Sequence, residues 1–100
     1  MKKSILKTYA EVEDWFSETD SHIFAVDTEL EDITQLNMRI AGISFCDGER
    51  ACYIDLLDNV EQESILQFLR MWVQEFDGTL IMHNSPFDLR ILTTYGIINE

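Results

Sequence analysis

Two apolar runs, residues 40–46 and 51–56, are separated only by Asp47-Gly48-Glu49-Arg50, and this spacing constrains the fold more than any other feature. So short a connection joins antiparallel neighbours, and Gly48 supplies the positive φ that such a turn needs. A helical pattern follows. Ile65, Leu66, Leu69, Trp72, Val73 and Phe76 recur on one face of a helix opened by Asp58-Asn59 and ended by Asp77-Gly78, with Gly78 as its C-terminal cap. Leu80-Ile81-Met82-His83 then reads as a short buried strand. A strand that returns after a crossover helix is normally parallel to a strand of the same sheet.

Upstream, Thr8 and Glu11 have capping-box spacing, and Val12, Trp15 and Phe16 form an apolar stripe, so a helix is expected over residues 9–17. Thr19-Asp20-Ser21 breaks it, and the first strand is expected over residues 22–28. Residues 31–37 are polar apart from Ile33 and Leu36. After the last strand, Asn84-Ser85-Pro86 leads into a helix carrying Phe87, Leu89, Ile91 and Leu92, with Ser85 as N-cap and Pro86 at the first helical position. The expected order is helix, three strands, helix, strand, helix. This is an α/β fold: an antiparallel three-strand meander extended by one parallel strand and flanked by helices. One hundred residues make one domain, residues 1–100.

The net charge of −12 argues against a broad phosphate-binding surface, because nonspecific affinity for nucleic acid comes mostly from Lys and Arg. Any nucleic-acid chemistry here must hold its substrate through metal ions or borrow basic surface from a neighbouring domain. For most of the scattered Glu residues, solubility is explanation enough. Cys46 and Cys52 lack CxxC spacing and His partners, make a poor zinc site, and read as reduced strand residues. Met1-Lys2-Lys3-Ser4 is basic, but Ile5-Leu6 gives way to Lys7, Glu11 and Glu13, which is no signal-peptide core. No apolar run approaches the roughly 20 residues that span a bilayer. The expectation is a cytoplasmic protein with no membrane partner.

Two acidic segments stand out. The apolar run Ile23-Phe24-Ala25-Val26 closes on Asp27-Thr28-Glu29, and alternation along a strand puts residues 27 and 29 on the same side. Two carboxylates converging there repel unless protonated, screened or bound to metal, although either also suits the start of a turn. Asp88 has two readings as well. It sits where a capping-box acid would, stabilised by the helix dipole. It also completes, with Asp27 and Glu29, a trio of hard oxygen ligands suited to Mg²⁺ or Mn²⁺. In such sheets ligands favour the carboxyl ends of parallel strands, where Asp27 and Asn84 both fall.

Phe24-Ala25-Val26-Asp27-Thr28-Glu29 resembles the first motif of the DEDD 3′–5′ exonucleases, and the stretch from His83 through Asp88 to Leu92 resembles the second. Ile40-Ala41-Gly42-Ile43-Ser44-Phe45 and Ala51-Cys52-Tyr53-Ile54-Asp55-Leu56 resemble the hairpin of the branch found in bacterial family A DNA polymerases. Thr94-Tyr95-Gly96-Ile97 resembles the end of the motif-two helix. The resemblance covers residues 20–98 in order and spacing. It implies a ribonuclease H-like fold and hydrolysis of the 3′-terminal phosphodiester of single-stranded DNA, in proofreading fashion, with two divalent ions, Mg²⁺ or Mn²⁺, about 3.5–4 Å apart.

Carried over residue by residue, the resemblance makes Asp27, Glu29 and Asp88 the catalytic and metal-binding residues. Thr28, Leu30, Ile33 and Asn84 become substrate-binding positions. Ile33 stands where the polymerase branch has a leucine wedged between terminal bases. Leu30 departs from the usual threonine or serine, and Ser85-Pro86 from a small or apolar residue followed by lysine. His83 reads as a strand-end packing residue, and Trp15 and Trp72 as core. The third motif, Tyr-x-x-x-Asp or His-x-x-x-Asp, has no match: Tyr95 is followed by Asn99 rather than a carboxylate. The expectation is therefore an incomplete N-terminal portion, lacking the C-terminal part of the fold. The rest of the exonuclease domain or a polymerase domain would be its downstream partner, and these residues alone would have little nuclease activity. The alternatives are a catalytically inactive structural or protein-binding module and ribonuclease D-type trimming of RNA 3′ ends.

Overall fold

The computed structural model describes residues 2–32, 39–82 and 85–98, without the side chains of residues 32 and 85–87. In chain order the elements are β1 (Lys2–Leu6), α1 (Tyr9–Ser17), β2 (Ile23–Asp32), β3 (Arg39–Cys46), β4 (Arg50–Asp55), α2 (Gln62–Glu75), β5 (Thr79–Met82) and α3 (Ser85–Thr94). They form a five-stranded mixed sheet in the order β1-β4-β3-β2-β5. β2, β3 and β4 run antiparallel as a meander, and β5 lies parallel to β2, with Val26 opposite Met82. This is the mixed α/β arrangement expected from the element order, and it agrees with the ribonuclease H-like fold that the resemblance implies.

α1 forms where the capping box requires. The Thr8 hydroxyl accepts the Glu11 N–H, and the Glu11 carboxylate accepts the Thr8 N–H in return. Gly48 sits at φ +97° in the hairpin turn, where Asp47 Oδ1 accepts the N–H groups of Glu49 and Arg50. Val12, Trp15 and Phe16 of α1, Ile65, Leu66 and Leu69 of α2, and Ile91 and Leu92 of α3 bury against one face of the sheet, made by Phe24, Val26, Ile43, Phe45 and Ile54. Trp72 stands edge-on to Phe24 at 5.2 Å and joins that core, as expected of both tryptophans. Cys52 is buried and Cys46 half-buried, and no disulfide joins them.

Four features differ from the sequence expectation. β1 is an additional strand, parallel to β4 from Lys2 opposite Arg50 to Leu6 opposite Ile54. It buries only Leu6, so it lacks the apolar signature of an inner strand, and its lysines suit an exposed edge. β2 continues past Thr28 to Asp32, because β3 supplies partners as far as Arg39, with register irregularities on either side of Leu30. α2 starts at Gln62 rather than at Asp58-Asn59, which form a turn with Asp58 at φ +52°. Gly78 is not a left-handed cap. It lies so close to the His22 carbonyl that a side chain there would collide with it, and Thr79 N–H donates to that same carbonyl at 2.8 Å.

The second face of the sheet carries no helix among the described residues. Strand register sets its rows: Ile81, Ala25, Cys46, Ala51 and Lys3; then Asp27, Ser44, Tyr53 and Ile5; then Glu29, Gly42 and Asp55. Ile5 and Ile81 are 65% and 53% exposed on it.

Candidate active site

Alternation along β2 places the acidic step on the open face. Phe24, Val26 and Thr28 are buried, whereas Ala25, Asp27 and Glu29 are exposed, as strict alternation requires. Asp27 lies opposite Ser44 and Glu29 opposite Gly42 on β3. The register shift directly after Glu29 ends this regular stretch, and such irregularities commonly re-aim side chains beside functional sites.

Asp88 arrives from the other side. It is in the first turn of α3 and fully buried, because Asp88, Ile91 and Leu92 share one helix face and that face packs toward β2 and β5. Its Oδ1 accepts the Thr28 hydroxyl at 2.7 Å and the Thr28 N–H at 3.2 Å. The same N–H also donates to Asp27 Oδ1 at 3.1 Å. One backbone donor thus gathers a carboxylate from each motif, although the two acids are far apart in sequence. Asp88 sits at a helix start, as one reading expected, and it also faces the strand that bears Asp27.

Thr28, expected to contact substrate, turns its side chain into the core. Only 6% exposed, its side chain points away from Asp27 and Glu29 and is engaged by Asp88, so it orients a carboxylate. Leu30 is half-buried and packs on the hydrophobic core. Ile33, Asn84 and His83 lie outside the described residues. Two positions not singled out as site residues belong on this face. A side chain at Gly42 would collide with the Tyr53 ring and hydroxyl, so the phenol lies over Gly42, between Glu29 and Asp55. Desolvation, then the charges of Asp55 and Glu29, push the Tyr53 pKa above its ordinary value. A glycine opposite the second acid of the step, with a tyrosine diagonal to it across the hairpin, is the sequence signal for this pair.

By chemical type the donors suit a hard divalent cation. All three carboxylates are oxygen donors, Asp27 and Glu29 are open to solvent, and Asp27 and Asp88 converge on Thr28. It is not a closed cage. Among the described residues no group of three or more His, Cys, Asp or Glu is arranged to enclose a metal, so water would have to fill much of the coordination sphere of an ion at Asp27 and Glu29.

Known structures share this architecture. The EXO domain of Aedes aegypti Nibbler superposes with a TM-score of 0.77 at 7% identity, covering 98% of this chain and 48% of that one. Trypanosoma brucei RNase D in complex with RNA U12 gives 0.76 at 12% identity, over 92% of this chain and 33% of that one. Escherichia coli RNase D gives 0.70 at 20% identity, over 94% and 24%. The chain therefore spans less than half the length of these structures, and at such identities they share its fold. No curated protein sequence matches the chain significantly. Residues 4–100 match the 3′–5′ exonuclease family, and the chain belongs to that family.

Proposed function

We propose that this domain receives the 3′ end of a single-stranded DNA on the open sheet face at Asp27 and Glu29 and, within the whole protein, hydrolyses the terminal phosphodiester in the 3′-to-5′ direction. The observation that carries the reading is the shared Thr28 N–H, which brings the carboxylates of the two motifs to one end of β2. Asp27, Glu29 and Asp88 are the residues that would hold two Mg²⁺ or Mn²⁺ ions. Bound there, the ions would lower the pKa of the attacking water and offset charge on the departing 3′ oxygen.

The roles of the side chains follow from their surroundings. Asp27 and Glu29 are solvated, so they can exchange water for an ion without rearrangement of the core. Asp88 is buried and oriented by the Thr28 hydroxyl, so its carboxylate keeps its direction while substrate comes and goes. With a net charge of −12, the domain itself offers little cationic surface for the rest of the strand. The remainder of the protein, whether further exonuclease sequence or a polymerase domain, would supply that surface and a fourth carboxylate.

The choice of DNA rests on the hairpin's likeness to family A polymerases. RNA trimming is the second reading, favoured by the fold shared with RNase D, one example of which was solved with RNA and another described as an exoribonuclease of structured RNA processing. The test is a time course with the full-length protein on matched 5′-labelled single-stranded DNA and RNA in Mg²⁺. A ladder of DNA shortened from the 3′ end, absent with EDTA and with Asp27→Ala, is expected. Shortening of RNA alone would replace DNA as the substrate. No shortening of either would leave a non-catalytic module.

A further inference from the structure

The Tyr53 phenol lies directly over Gly42 on the sheet face that carries no helix among the described residues. A Cβ built on Gly42 would fall against the Tyr53 hydroxyl and the ring carbon that bears it. The hydroxyl therefore occupies roughly the space a Gly42 side chain would take. Gly42 is paired with Glu29 on one side and Asp55 on the other. Directly opposed Cβ atoms in an antiparallel pair stand about 5 Å apart, so the phenol oxygen is on the order of 5 Å from the Glu29 Cβ and from the Asp55 Cβ. A glutamate side chain spans that gap.

The chemistry of the pair is complementary. At neutral pH a phenol is protonated and can donate, and a carboxylate can only accept. Asp55 is bound to β4 by a short side chain, whereas Glu29 has one more rotatable bond and is exposed. The charges of Asp55 and Glu29 both act on the hydroxyl, and a glutamate opposite Gly42 is long enough to reach it. A solvated glutamate otherwise samples several rotamers, each lost when it binds an ion. Gly42 is then the residue that lets the ring lie low enough to reach.

We infer that Tyr53 is a positioning residue for Glu29, its hydroxyl donating a hydrogen bond that fixes the carboxylate above Gly42, with Gly42 as the seat of the ring. The assignment rests on the metal-holding role proposed for Glu29. Its consequence is a device internal to residues 29, 42 and 53, in which hairpin and acidic step work as one unit.

The test is Mn²⁺ binding to the full-length protein, followed by electron paramagnetic resonance of the free ion, for wild type, Glu29→Gln, Tyr53→Phe and Gly42→Ala. Tyr53→Phe keeps the ring and removes only the donor, so it controls for packing. Roughly tenfold weaker binding is expected from it, as for other partners that orient a metal ligand. Gly42→Ala, which displaces the ring, should weaken binding comparably. Mg²⁺ should also perturb the tyrosine absorption of wild type but not of Tyr53→Phe, a signal that a packing role would not give. If Glu29→Gln weakens binding while Tyr53→Phe binds like wild type, the positioning role is overturned and the metal-holding reading stands. If Mn²⁺ binding does not depend on Glu29, both fall.

Discussion

The Thr28 hydroxyl donates to Asp88 Oδ1 at 2.7 Å across 60 positions of sequence. Both groups are buried, so neither can turn to water if the other is lost. Thr28→Val keeps the branched shape and removes the donor. It should destabilise the fold by about 1–3 kcal/mol in urea titrations, whereas Thr28→Ser should recover most of that loss. A Val variant as stable as wild type would mean that the hydroxyl contributes nothing net.

Asp27 and Glu29 offer the opposite profile. Both are exposed, and their side chains contribute nothing to the core. Asp27→Asn and Glu29→Gln should leave the melting temperature at or slightly above the wild-type value. In the full-length protein each should lower Mg²⁺-dependent 3′-end trimming by roughly 100-fold or more. Activity measured beside calorimetry on the same samples separates this from Thr28→Val, where stability falls as well.

The Cys52 thiol is buried between β3 and β1, and desolvation pushes its pKa up to about 12. An unfolded cysteine ionises near pH 8.5. The folded chain therefore holds this proton more tightly than the unfolded one. The resulting contribution is fully present below pH 8.5 and is lost as pH rises toward 12, at up to about 1.4 kcal/mol per pH unit. Denaturant melts of wild type and Cys52→Ala should run parallel at pH 6–8 and converge above pH 9. The same burial predicts that Cys52 resists thiol reagents until the chain is unfolded.

Asn59 joins three segments that sequence alone does not connect. Its Nδ2 donates to the Lys7 carbonyl at 2.7 Å and the Asp55 carbonyl at 2.8 Å, and its Oδ1 accepts the Glu61 N–H at 2.8 Å. Asn59→Ala should cost about 1–3 kcal/mol. In hydrogen exchange the amides of β1 should lose protection more than those of β3. Equal loss in both strands would show that Asn59 supports the fold as a whole rather than the attachment of β1.

How much was legible depends on the range of the interaction. α1 and the hairpin turn were readable because Thr8, Glu11, Asp47 and Gly48 act on backbone groups within a few positions. The face shared by Asp27 and Glu29 follows from alternation alone. Asp88 could be placed at a helix start, but its partner could not, since nothing local indicates which backbone N–H a buried carboxylate will meet. β1 was unreadable for a related reason: an edge strand buries one side chain and takes its order from hydrogen bonds to β4. Asp58-Asn59 looked like a helix opening because the same residue types close turns, and here Asn59 is drawn to the Lys7 and Asp55 carbonyls instead.

The position of β1 imposes an order on the chain's birth. Lys2–Leu6 is synthesised before α1, β2 and β3, yet its ladder partner, Arg50–Asp55, is synthesised only after them. Until then the strand has nothing to bind and waits as a short, lysine-bearing segment with little tendency to mispair. This strand is thus made before the meander but can join the sheet only once β4 exists, and it closes that edge.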